Sequence, residues 1–251
     1  MLAYLSPLLT LVTLLIALYT FHKVRRIHIK LYQDRIQSQA ETDNLYDQLQ
    51  AFQDIYIDLA VKNSLPSTRG WAASADFLRE LYLHALTAKP ETVVECSSGT
   101  STLILARCMQ MNGSGKVYNL EHEPAFAEQT RRNLERHGLL DWATVVNAPL
   151  RTIYLDKTPR RWYSLDALPS DITIDMLVID GPPGATNPLA RYPAGPLLFP
   201  RLSRHAAVFM DDAARDDEKA MLQLWKAEFP DLEQTSRFCE KGCAVLTKRG
   251  D

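Results

Sequence analysis

The 251-residue chain has room for one large domain and an appendage, and its 46% hydrophobic content is enough for a sizeable core. A formal net charge of −2 gives no electrostatic case for nucleic acid as a partner. Cys96, Cys108, Cys239 and Cys243 form no paired framework, which indicates a reduced, cytosolic setting, and two close thiols without a nearby histidine do not make a zinc site.

Residues 2–21 carry no charged side chain. About 20 apolar residues suffice to cross a hydrocarbon core of roughly 30 Å. The basic lead and small-residue cleavage site of a signal peptide are missing. Lys23, Arg25, Arg26 and Lys30 follow, a cluster that belongs on the cytoplasmic side. The expectation is a single-pass transmembrane helix over 2–21, seated in the lipid bilayer, with the catalytic domain in the cytoplasm. A buried or interfacial helix is the alternative.

Residues 22–63 read as a polar helical stalk. Leu45, Leu49, Phe52, Tyr56 and Leu59 alternate in steps of four and three, as in a heptad seam. Such a seam serves either a short coiled coil joining copies of the chain or docking onto the chain's own domain. Residues 64–90 comprise a Pro/Gly/Ser-containing linker and a leading helix. Ser74 is its expected cap, and Phe77, Leu78, Leu81, Tyr82 and Ala85 form its apolar face.

From 91 to 251 the pattern changes. Short apolar runs at 92–96, 117–120, 143–146, 174–179 and 206–210 alternate with amphipathic stretches at 103–111, 126–137, 196–202 and 218–229. Such alternation predicts an α/β fold, a doubly wound and mostly parallel sheet. Two runs at 232–238 and 243–247, around Glu240-Lys241-Gly242, predict an antiparallel hairpin closing it.

Ligands of such sheets sit beyond the carboxyl ends of the strands. Glu95 ends the first run, and Ser97, Ser98, Gly99, Thr100 and Ser101 lead into a helix whose amides are free. Glu121 ends the second, placed as a carboxylate that accepts both ribose hydroxyls, or else as a solvated strand end. Asn147-Ala148-Pro149, Asp180-Gly181-Pro182-Pro183 and Asp211-Asp212 end the next three. One glycine in the first loop does not match the Gly-x-Gly-x-x-Gly of dinucleotide enzymes.

The stretches VVECSSGTST, LEHE, IDMLVIDGPPG, ARYPA and DDAAR, in this order, resemble a bacterial subgroup of the class I S-adenosylmethionine-dependent methyltransferases, from about Trp71 to Lys248. That resemblance implies a seven-stranded Rossmann-like sheet and S-adenosyl-L-methionine as cofactor. It implies that Glu95 and the Ser97–Ser101 backbone hold the methionine portion. Glu121 would then bind the ribose and His122 would lie beside the adenine. Ala148 would edge the adenine, while Asp180 and Gly181 face the sulfonium. Glycine is usual where Ser97 stands, so the geometry of this loop departs from the family.

Asp180, Asp211 and Asp212 would meet at the reaction centre. Carboxylate oxygens suit Mg²⁺ or Ca²⁺, and metal-dependent relatives place acidic ligands at these strand ends. Pro182 and Pro183 stand where those relatives carry a lysine. The competing assignments are a metal-free site in which an aspartate is the base, and a helix cap with Arg215 as ion-pair partner. Arg191, in the ARYPA stretch, either holds an acidic substrate group, neutralises the aspartates or lies on the surface. Trp162, Tyr163 and Trp71 are candidate aromatic walls. The expected activity is O-methylation of a small or membrane-associated acceptor: a glycan, a lipid-linked intermediate or a metabolite. A non-catalytic membrane scaffold with a degenerate cofactor fold and an aminopropyltransferase are the alternatives.

Overall fold

The computed structural model describes residues 5–67, 70 and 72–248. The chain forms two compact units, 1–47 and 48–251, joined by one continuous helix, α1 (Leu5–Asp58). Thr13 and Thr20 of this helix return their hydroxyls to carbonyls one turn back.

The expected membrane span is corrected by this helix. Among the described residues no helix is long and apolar enough to cross a membrane. Residues 2–4 of the expected span lie outside the described residues. Thr10, Thr13 and Thr20 interrupt the apolar side chains of the span, and Lys23, Arg25 and Arg26 follow it. The single-pass membrane localisation and the bilayer partner fall with it.

The heptad seam is also resolved differently. Leu45 and Leu49 are 52% and 57% exposed, whereas Ala51, Ile55 and Leu59 are buried. Ile55 and Leu59 pack with Phe77, Leu78 and Leu81, so the last turns of α1 dock onto the domain that follows. Self-association through a coiled coil finds no support in this packing.

In the larger unit, α2 (Ala75–Ala88) precedes β1 (Thr92–Cys96). Ser74 stands at the N-cap position, but its side chain makes no capping bond. Gln48 does that work from α1: its Oε1 accepts the amides of Ala75 at 2.8 Å and Asp76 at 3.3 Å. Lys89, in the left-handed conformation, closes α2 ahead of Pro90.

The chain then alternates: α3 (Thr100–Asn112), β2 (Lys116–Glu121), α4 (Pro124–Arg136), β3 (Ala143–Asn147). After an insertion of two strands, β4 (Leu150–Leu155) and β5 (Thr158–Tyr163), come β6 (Ile174–Ile179), α5 (Ala194–Leu198), β7 (Leu202–Met210), α6 (Asp216–Glu228), β8 (Leu232–Arg237) and β9 (Cys243–Lys248). One seven-stranded sheet results, in the order β3-β2-β1-β6-β7-β9-β8. The first five run parallel and β9 runs antiparallel to both its neighbours, closing the sheet as the hairpin at its end predicts.

Both faces are covered, with successive residues pointing to opposite sides. Val93, Met176 and Val178 join the core beneath the end of α1 and α2, α3 and α4. Val94, Leu177 and Ile179 join Tyr192, Leu198, Met221 and Trp225 beneath α5 and α6.

Three details depart from expectation. The run at 196–202 is a five-residue helix followed by a 3₁₀ turn, Phe199–Arg201. Strand β7 begins at Leu202, and a register shift against β6 accommodates the polar Ser203-Arg204-His205 that masked its start. The third is the insertion itself. β4 (Leu150–Leu155) and β5 (Thr158–Tyr163) form a separate antiparallel hairpin. Its turn residues, Asp156 and Lys157, have φ of 47° and 66°, the handedness of a type I′ turn without its usual glycine.

Candidate functional site

Backbone bonds that extend the sheet ladder bring four strand ends to one edge. Ser97 N donates to Leu120 O, Asp180 N to Cys96 O and Asp211 N to Ile179 O, each at 3.1 Å. The loop after β1, Glu121, Asp180-Gly181 and Asp211-Asp212 therefore share that edge, as their spacing predicts.

The β1 loop is braced by side chains. Glu95 is fully buried; its Oε2 accepts Thr102 Oγ1 at 2.6 Å and Asn119 Nδ2 at 3.0 Å. Burial pushes its carboxyl up to about 7, against the hydrogen bonds of Ser101, Thr102 and Asn119, which pull it down. Asn119 also donates to the carbonyl of Ser97. Ser97 itself has φ 108°, a backbone region natural to glycine. Gly99 heads α3, and Thr100 and Ser101 are buried in its first turn.

Glu121 is 4% exposed and its carboxylate accepts two hydrogen bonds. Ser98 Oγ donates to its Oε2 at 2.6 Å, and the Glu123 amide to Oε1 at 2.9 Å. His122 Nδ1 lies 3.2 Å from Oε1. Ala148 is buried and its amide donates to the Glu121 carbonyl at 2.7 Å, tying β3's exit to β2's.

Asp180, Asp211 and Asp212 each bring a carboxylate oxygen to within 4.8 Å of the others. Arg191 lies against them, 3% exposed. Its Nη2 donates to Asp212 Oδ2 at 2.6 Å and to Asp180 Oδ1 at 3.2 Å, and Nη1 donates to the Asp211 carbonyl at 2.8 Å. Glu218 stands 3.6 Å from its Nε, and Arg215 reaches Asp212 Oδ2 at 2.9 Å. The helix-cap alternative pairs Arg215 with an aspartate, and the structure has that ion pair, but the residue at the N-cap of α6 is Arg215 itself and neither aspartate. Burial and the neighbouring Asp211 hold the Asp180 carboxyl well above the carboxylate range, against the pull of Arg191. Burial and Asp212 push Asp211 up to about 6.

The spacing of the three aspartates would suit a divalent cation, and Asp211 Oδ2 and Asp212 Oδ1 are buried without a hydrogen-bond partner among the described residues. Yet the guanidinium already engages Asp180 and Asp212, so a cation would compete with it for the same oxygens. Of the three settings open to Arg191, the structure shows it among the aspartates.

Trp162 and Tyr163 are buried at the foot of the inserted hairpin. Gly181 has no room for a side chain, because a Cβ there would overlap Tyr163 Oη. The peptide bond from Gly181 to Pro182 is cis. Trp71 lies outside the described residues. Four supporting residues escape a reading of strand ends alone: Thr102, Asn119, Glu218 and the Tyr163 hydroxyl. Asn119 carried a signal, a lone amide inside a buried strand.

A family described as a methyltransferase domain matches residues 94–213. No curated protein matches the chain. Among solved structures, an S-adenosylhomocysteine-bound methyltransferase of Podospora anserina is 13% identical, with a TM-score of 0.59 over 85% of this chain and 96% of that one. The cofactor-bound protein Rv0187 from MTB is 23% identical, with a TM-score of 0.54 over 83% and 91%. The O-methyltransferase TomG of Streptomyces achromogenes, involved in tomaymycin synthesis and solved with S-adenosylmethionine, is 15% identical, with a TM-score of 0.56 over 83% and 96%. Residues 94–213 thus resemble a methyltransferase domain, and the chain shares the Rossmann-like fold of these solved methyltransferases.

Proposed function

We propose that the chain transfers the methyl group of S-adenosylmethionine to a hydroxyl of a small-molecule acceptor. The observation that carries this is the meeting, at one sheet edge, of a tight β1 loop, a ribose-competent Glu121 and a cation-compensated carboxylate cluster. Relatives of this fold that are solved with the cofactor, including O-methyltransferases, support it.

Methyl transfer from a sulfonium is an in-line displacement, so the protein positions the acceptor and removes its proton. Glu121 binds the ribose, with His122 and Ala148 along the adenine. The Ser97–Ser101 backbone holds the methionine portion while Glu95 shapes the loop through Thr102 and Asn119. Gly181 lets the cofactor approach β6. Asp180, the most exposed of the three aspartates, accepts the acceptor's proton; Asp211 keeps its affinity for that proton high, and Asp212 anchors Arg191. Arg191 supplies the positive charge that a divalent metal supplies elsewhere, so turnover needs no added Mg²⁺ or Ca²⁺.

Titration calorimetry of the purified chain with S-adenosylmethionine tests the core of this reading, and absence of binding would sink it. Thorough chelation tests the metal-free site: activity that disappears with EDTA and returns with Mg²⁺ would overturn that part alone. A product bearing an aminopropyl group in place of a methyl group would favour the aminopropyltransferase alternative.

A further inference from the structure

The order β3-β2-β1-β6-β7 reverses direction between β1 and β6, and open α/β sheets bind ligands in the crevice at such a reversal. Tyr163, the last residue of β5, brings its phenol against Gly181, just past the end of β6 and beside that reversal. A Cβ built on Gly181 would overlap Tyr163 Oη and would lie 3.1 Å from Ser97 Cβ and 3.3 Å from the Cys96 carbonyl oxygen. The hydroxyl is thus bordered by the β1 loop and by the Asp180-Gly181 strand end. The His122 ring stands edge-on to the Tyr163 ring, 5.8 Å between centroids.

Tyr163 is 2% exposed, and its hydroxyl has no hydrogen-bond partner among the described residues. A buried hydroxyl in that state has lost water and gained nothing, which is why folded proteins rarely leave one so. The surroundings offer a remedy. The crevice is where a ligand is expected, and the groups around the phenol are those assigned above to the cofactor.

We propose that the Tyr163 hydroxyl is a cofactor-facing donor, giving its hydrogen bond to an oxygen of S-adenosylmethionine bound across the β1–β6 crevice. The sulfonium accepts no hydrogen bond, so the recipient is the methionyl carboxylate or a ribose hydroxyl. This rests on the proposed use of S-adenosylmethionine. The inserted hairpin then has a definite purpose: it brings a phenol to the switch point that no strand of the main sheet supplies.

Tyr163→Phe separates this role from a structural one. Calorimetric titration with S-adenosylhomocysteine, run beside thermal unfolding of the ligand-free chain, gives two readouts of opposite sign. The expected result is affinity weakened about 3- to 10-fold, as for loss of one hydrogen bond, with the ligand-free unfolding temperature unchanged or raised. Equal affinity in the two proteins overturns the proposal. So does a lowered unfolding temperature with affinity unchanged, the signature of a hydroxyl that only supports the fold. Failure of the unsubstituted chain to bind would instead strike the cofactor assignment itself.

Discussion

Arg191 Nη2 lies 2.6 Å from Asp212 Oδ2, and each of these side chains is only 4% exposed. Removing one member of a buried pair leaves a desolvated charge behind, at a cost of about 3–5 kcal/mol. Arg191→Met should therefore lower stability by that order, because Asp180, Asp212 and Glu218 all lose their shared cation. Denaturant unfolding at pH 7 measures it. A near-neutral result would return Arg191 to the role of a substrate-binding residue.

Asp180→Asn should cut turnover by about 10²–10⁴-fold, the range for loss of a positioned base, with cofactor affinity retained. Steady-state kinetics with an accepted hydroxyl substrate, beside calorimetry, would show both. Wild-type turnover in this variant would remove Asp180 from the chemistry.

The same cluster dictates a pH dependence. A base works only when deprotonated, and the Asp180 carboxyl is held above its ordinary range by burial and by Asp211. Activity should thus fall as pH drops, with an acid limb above the ordinary carboxylate value near ~4. Asp211→Asn removes the like charge, so its acid limb should move to lower pH. A limb that stays in place would separate the two aspartates.

Glu95 makes a prediction about stability alone. Its carboxyl is pushed up to about 7 in the fold from an ordinary 4.5, so the folded state prefers it protonated. That contribution is fully present below the unfolded value and is lost as pH rises through about 7. The shift is equivalent to about 3 kcal/mol as an order of magnitude. Relative to Glu95→Gln, the wild type should lose stability between pH 5 and pH 8. Parallel denaturation curves across that range would contradict the buried, half-bonded state of this carboxylate.

Ser97 holds φ 108° without being glycine. Ser97→Gly should stabilise the chain by about 1 kcal/mol where relief of strain exceeds the entropy glycine adds to the unfolded state. Ser97→Ala should do nothing of the kind, since it keeps the Cβ. Melting temperatures of the two variants distinguish backbone strain from any contribution of the hydroxyl.

The parallel sheet was legible because its strands are buried on both faces and read as unbroken apolar runs, with small or acidic residues at their ends. The methyltransferase resemblance was legible for the same reason, since its motifs sit at those ends. Hairpin β4–β5 was hidden by its polar face and by a turn, Asp156-Lys157, that lacks the Asn-Gly or Asp-Gly signature. The first half of β7 was hidden by Ser203, Arg204 and His205 at a bulge. Leu45 and Leu49 kept the heptad spacing yet stay exposed, because the docked stripe is Ala51, Ile55 and Leu59. At the site, position along a strand located Glu121 and Asp180. What each side chain touches depends on contacts distant in sequence: Asp180 and Asp212 on Arg191, Glu95 on Asn119.

Gln48 caps a helix that begins twenty-seven residues later. The Pro- and Ser-containing segment at 64–67 looks like a place to cut, but the larger compact unit does not start there. A chain shortened to that point would leave the amides of Ala75 and Asp76 open. It would also strip Ile55 and Leu59 from over Phe77, Leu78 and Leu81. The smallest piece that keeps this core closed begins near Gln48, so the last turns of the long helix are part of the methyltransferase-like fold and not a handle attached to it.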